Sequence, residues 1–247
     1  MTGHEAALMA CFPRTSSNEP YLDNTLLLNF AQRSGSNYLS DLLISTGLFC
    51  GFRGILTSEQ LNIYKGAGAT KTLVGYLHGQ RQIDDPNSRI WGIRASVNQL
   101  LNLWSRKVVP DFMQPLLVDL RRRDKIGQAV SLYIARETNS WTNTSPEGIE
   151  YDGQKILQSF LYINSVEANL DLTYGLLKRE PSRIIYEELL ECPDGTVDQL
   201  CRRLGVGSAK LDHAKLQRRV QRNELNEEFK QRFLADLDRL SIQWQKP

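Results

Sequence analysis

The chain has 247 residues, 41% hydrophobic and 23% charged, with a formal net charge of +2 at pH 7. These are ordinary globular values, and so neutral a balance excludes a surface built as a whole for nucleic acid or an acidic membrane. Any anion site must be local. Four cysteines (Cys11, Cys50, Cys192, Cys201) and three histidines (His4, His78, His213) are scattered without zinc-ligand spacing, so no metal is expected. No apolar stretch approaches the roughly 20 residues of a membrane span. The opening MTGHEAALMACF lacks a basic region ahead of an apolar run, so a cytoplasmic protein with reduced cysteines is expected.

Residues 1–24 mix Gly, Ser, Asn and Pro and read as an irregular arm; residues 25–247 read as one α/β domain. TLLLNF (Thr25–Phe30) is a short apolar run that suits a buried strand. From Ser36 the pattern turns helical, with Leu39, Leu42 and Leu43 on one face and Gly47 as the stop. Residues 51–88 give no clear element; KGAGATKT reads as a mobile loop and DDPNS as a turn. RIWGIRAS (Arg89–Ser96) predicts a second strand, Val97–Trp104 a helix, and QPLLVDL (Gln114–Leu120) the clearest strand. Asp124 is placed to cap the next helix, in which Ile126, Ala129, Val130 and Tyr133 keep helical spacing. A polar loop follows, then a long helix from about Gln154 to Leu177, a strand in SRIIYEEL, and a short helix stopped by Gly205. Residues 212–240 read as a charged helical region. Strands alternating with helices predict a doubly wound, mostly parallel sheet flanked by helices, in a single domain.

Two stretches have the chemistry of an anion loop, FPRTSS (Phe12–Ser17) and AQRSGS (Ala31–Ser36). Ligands bind beyond the carboxyl ends of parallel strands, and a helix start offers unpaired N–H groups and a favourable dipole. AQRSGS lies between a strand and a helix, whereas FPRTSS follows no strand and has Pro20 where its helix would begin. Position therefore favours AQRSGS, with Arg33 as the charge, Ser34, Ser36 and Asn37 as donors, and Gly35 for the tight turn. The alternative is an ordinary Ser/Gly turn that caps a core helix. No Lys follows Gly35, so the loop lacks the phosphate-binding Lys of a Walker A motif. A second basic group, LRRRDKIGQAVSLY, places Arg123 at a strand end and Ser131 seven residues beyond the cap Asp124, two turns on and nearly the same face. It reads either as a second phosphate site or as a solvated basic edge.

Taken together these residues resemble a P-loop-like bacterial sulfotransferase family that includes the trehalose and Nod-factor-type carbohydrate sulfotransferases. Its second signature, approximately LRRRDKVAQAVSLxRAxQTxxW, is matched by LRRRDKIGQAVSLYIARETNSW, and its PRTGST-like loop by QRSGSN. Further similarity lies in YDGQKI, IIYEEL, CPDGTVDQLCRRLGV and VQRNELNEEFKQRF, so that the likeness covers about residues 25–235.

That resemblance implies 3'-phosphoadenosine 5'-phosphosulfate (PAPS) as donor, a carbohydrate or glycosylated small molecule as acceptor, and no metal. Arg33, Ser34, Gly35, Ser36 and Asn37 would then hold the phosphosulfate, Arg123 and Ser131 the 3'-phosphate, and Arg219 the nucleotide end. Arg94 would serve the sulfate side, and Trp141 and Tyr151 would border the acceptor. A homodimer is expected on the same ground. The family's RPxEYF-like segment supplies a Glu as general base. Here the stretch is CGFRGILTSEQL, with Ile55 or Leu56 at that position, which leaves Glu59 and His78 as base candidates. Three other readings remain: a PAPS- or nucleotide-binding relative without activity, a P-loop nucleotide kinase, and a nucleic-acid module built on RRRD and QRRVQRNEL.

Overall fold

The computed structural model describes residues 12, 20–57, 59–62, 72–84, 88–139, 141, 148–216 and 224–239. Five strands form one sheet: β1 (Thr25–Phe30), β2 (Phe49–Gly51), β3 (Ile90–Ala95), β4 (Leu116–Arg121) and β5 (Ser182–Ile185). Their spatial order is β2-β3-β1-β4-β5 and every pairing is parallel. The central strand is apolar on both faces because a parallel sheet is covered on both sides. Leu26 and Leu28 of β1 enter one core cluster and Leu27 enters the other. The first face receives α1 (Ser36–Ser45) through Leu39, Leu42 and Leu43. The second receives α2 (Leu73–Asp84), α3 (Val97–Ser105) and the short α4 (Val108–Asp111).

The remaining helices are α5 (Lys125–Glu137), α6 (Gly153–Leu177), α7 (Tyr186–Glu191), α8 (Pro193–Arg203) and α9 (Glu224–Asp236). A third cluster, built on Ala129, Val130, Tyr133, Ile156, Phe229 and Phe233, joins α5, α6 and α9 beside Ala31, the residue after β1. Asp124 caps α5 as its position predicted, accepting from the Gly127 N–H at 2.9 Å.

Three expectations change. SRIIYEEL does not stay extended: the strand stops at Ile185 and α7 starts at Tyr186, with Glu187 and Glu188 in its first turn, where the helix dipole favours them. Residues 49–51, given no element by the sequence, form β2, a strand of three residues held by its register with β3. Within the arm, Phe12 is buried against Tyr76 and its carbonyl accepts from Arg106 Nη1 at 2.7 Å. The rest of FPRTSS, most of KGAGATKT and the centre of DDPNS lie outside the described residues. Among the described residues no helix is long and apolar enough to cross a membrane. Nor does any group of His, Cys, Asp and Glu among them converge as metal ligands would.

Candidate active site

The stretch Ala31–Gly35 leaves the carboxyl end of β1 and turns into α1. Arg33 and Gly35 both have positive φ, 63° and 92°. At Gly35 only glycine fits, because a Cβ there would overlap the Tyr186 ring and no L residue holds that φ without strain. No side chain caps α1 and its first turn carries no acid, so its leading N–H groups remain open to an anion. Ser34 is fully buried, and its Oγ has no hydrogen-bond partner among the described residues.

The second basic group meets this loop directly. Arg33 Nε donates to Ser131 Oγ at 2.9 Å, and Arg33 Nη1 to the Trp141 carbonyl at 3.1 Å. One turn earlier on α5, Gln128 Nε2 donates to the Gln32 carbonyl at 2.8 Å. Burial, reinforced by repulsion from Arg122, pushes the Arg33 guanidinium below its ordinary pKa. Arg122 is the residue the sequence reading missed: its guanidinium lies 5.4 Å over the Tyr186 ring, and that ring lies against Gly35. The available signal was alternation at a strand end. Arg121 points to Asp119 and Asp171 at the sheet's flank, so its neighbour points the other way.

On the β3 side, Arg94 Nη1 donates to Asn37 Oδ1 in the first turn of α1. Arg123 is half-exposed; its guanidinium pairs with Glu188 and its N–H donates to Glu187 Oε2 at 2.9 Å. The loop from 31 to 37, Arg94, Arg122, Arg123 and Ser131 therefore gather on the carboxyl rim of the sheet.

Other sequence candidates fall elsewhere. His78 shares a hydrogen bond of 2.9 Å with the Pro20 carbonyl, and the next turn of α2 bonds Asp23 through Arg81. Both partners precede β1, so His78 sits at the amino end of the sheet, opposite the loop. Glu59 is exposed on a helical turn, 59–62, on the same rim as Arg94: the neighbouring Leu56 carbonyl accepts from Gln99 in the first turn of α3. Ile55 and Leu56 are buried in the core, a site where an ionised carboxylate would cost several kcal/mol. Tyr151 does not reach the loop. Arg232 covers one face of its ring at 4.1 Å, so that face is not free to stack on a sugar, and Phe229 packs against the ring in a T-shaped arrangement. Burial, with Asp236 beside it, pushes the Tyr151 hydroxyl up to about 12. Its ring borders a cavity of about 900 Å³ lined also by Tyr133, Glu137, Lys155 and Arg232. Tyr133 lies about 200° around α5 from Ser131, so this cavity opens on the far face of that helix. Trp141 borders the loop, though through its carbonyl, and its side chain is 43% exposed. Arg219 lies outside the described residues.

Two solved structures share this architecture. The sulfotransferase domain of the olefin synthase from Synechococcus PCC 7002 is 13% identical, covering 90% of this chain and 98% of its own, with a TM-score of 0.51. A sulfotransferase from Alicyclobacillus acidocaldarius is 16% identical, covering 87% of this chain and 93% of its own, with a TM-score of 0.52. At such identities the likeness is one of fold, the P-loop-like fold of sulfotransferases. No curated protein matches the sequence. The family model for Stf0 sulphotransferase matches residues 60–236, beginning after the 31–37 loop and taking in β3, β4, β5 and the whole Arg-rich signature. A match over most of the chain settles the affiliation: the protein belongs to the Stf0 sulphotransferase family.

Proposed function

We propose that this protein transfers the sulfuryl group of PAPS to a hydroxyl of a carbohydrate or glycosylated small molecule. The observation that carries the reading is the Arg33–Ser131 hydrogen bond, which joins the loop after β1 to the helix after β4. This contact supports the reading because it brings the proposed phosphosulfate loop beside the proposed 3'-phosphate residues. The residues present fit that donor. Ser34 Oγ is buried and unpartnered among the described residues, the α1 start is uncapped, and Arg122 repels Arg33, a repulsion that a bound anion would offset.

The donor, when bound, supplies an activated sulfuryl group on a phosphate leaving group. The first N–H groups of α1, with Ser36 and Asn37, hold the phosphosulfate, and Arg33 neutralises the charge that grows on the leaving oxygen. Arg94, fixed by Asn37, serves the sulfate side. Arg123 and Ser131 hold the 3'-phosphate; Arg123 exchanges its half-exposed Glu188 partner for the phosphate. Glu59 is the proposed base, since it shares the rim with Arg94 and His78 does not. The resemblance also leads us to expect a cytoplasmic homodimer.

Calorimetry with adenosine 3',5'-bisphosphate tests the reading. The wild type should bind, and Arg123→Ala should lose about tenfold or more in affinity; no binding by the wild type sinks it. The buried Ile55 and Leu56 favour a second reading, a donor-binding relative without transferase activity. Binding without sulfate transfer to any of a panel of sugars would select it. Transfer that disappears in Glu59→Gln while binding persists would select the enzyme.

A further inference from the structure

Tyr186 and Glu187 have no part in the donor site as described, yet they touch both of its halves. The Tyr186 ring lies against Gly35 and beneath the Arg122 guanidinium. The Glu187 carboxylate turns back to the end of β4. Its Oε2 accepts from the Arg123 N–H at 2.9 Å, its Oε1 from the Asp124 N–H at 3.2 Å, and Arg122 Nε stands 3.8 Å away. These two N–H groups precede the first turn of α5 and have no place in its helical ladder, so the carboxylate satisfies donors that would otherwise point at an anion. The turn held in this way carries Arg123, and α5 begins from it and carries Ser131.

We infer that Glu187 is a positioning residue for the 3'-phosphate half of the donor site, an inference that rests on the donor reading above. The carboxylate fixes the 122–124 turn so that Arg123 and Ser131 address one phosphate. It also occupies the two main-chain donors that would compete for that phosphate in a wrong register. Tyr186, the preceding residue, carries the same restraint to Gly35, so residues 186 and 187 set the spacing between the two anion positions. Glu187 touches no part of the donor itself.

The test compares two probes within each variant, adenosine 3',5'-bisphosphate and adenosine 5'-monophosphate, which differ by the 3'-phosphate alone. The wild type should prefer the bisphosphate by well over about tenfold, as expected of a charge-assisted phosphate contact. Glu187→Gln loses the charge and one of the two acceptors, and should cut that preference by about tenfold while leaving monophosphate affinity within about threefold. A general loosening of the fold would weaken both probes together and leave their ratio unchanged. In the Glu187→Gln background, Arg123→Ala should cost much less than in the wild type, since the two residues act as a unit. A folded Glu187→Gln protein that keeps the full preference overturns the inference. If that variant does not fold, Glu187→Asp decides in its place: an undiminished preference overturns the inference and a reduced one supports it. A wild type indifferent to the 3'-phosphate fails at an earlier step, and removes the donor reading together with the inference.

Discussion

Gly35 combines two demands that a side chain cannot meet, a φ of 92° and a Tyr186 ring where its Cβ would be. Gly35→Ala should therefore displace either the loop or the ring. Bisphosphate affinity should fall at least about tenfold, with backbone strain of 1 kcal/mol or more at the site. Titration beside a thermal melt checks it, and wild-type affinity in the alanine variant would refute the close packing. The need for glycine was legible from AQRSGS, since a small-residue loop before a helix calls for a tight turn. The ring that makes it strict was not, because Tyr186 is remote in sequence and reaches the loop only through the β4–β5 pairing. Arg122 was hidden in a similar way. Three successive arginines look alike in a string, and only the direction of the strand end sorts them into a flank residue, a loop neighbour and a phosphate candidate.

At the scale of elements, the strand–loop–helix units were the legible part. β1 spans the six residues of TLLLNF, and α1, α3, α5 and α6 start within one residue of their expected positions. Each of these has a long periodic run or an N-cap of its own. β2 has neither; three residues acquire strand geometry from β3 alone. The SRIIYEEL strand was read too long because the apolar run Ile184–Tyr186 says nothing of where it stops, although the paired acids after Tyr186 were a helix-start signal.

Asp124 ties elements together: it caps α5, pairs with Lys230 of α9 at 2.9 Å, and faces Arg122 at 3.7 Å. Burial pushes its carboxyl up, but the Gly127 N–H and these cations outweigh that and hold it below the usual carboxylate range. A carboxyl with a depressed folded-state pKa stabilises the fold above its unfolded value, and the gain is lost as pH falls through the folded one. Asp124→Asn should thus cost about 0.5–1 kcal/mol at neutral pH, since Asn can still cap but cannot pair. The gap to wild type should close below about pH 4. Denaturant unfolding across that range measures it, and a gap independent of pH would assign the whole effect to the cap.

Over the whole molecule the charge is +2, yet Arg33, Arg94, Arg122 and Arg123 collect on one rim. Bisphosphate binding should therefore weaken several-fold as salt rises from 0.1 M to 1 M, where the screening length contracts from about 10 Å to about 3 Å. Residual binding should persist through the partly buried Arg33. Duplex DNA at physiological salt should not compete, because a net charge of +2 gives the chain no overall pull toward a polyanion. Salt-independent affinity would mean that these arginines do not meet the phosphates.

The strand order determines where that rim can hold a ligand. From β1 the chain leaves toward β2 on one side of the sheet, and from β4 it leaves toward β5 on the other. The two exits diverge at a topological switch point, and the crevice between them exists before any side chain is chosen. Such an opening belongs to the strand order and does not depend on particular side chains. Each chain must furnish only its lining and the struts across it, which here are Gln128 on Gln32 and Ser131 on Arg33.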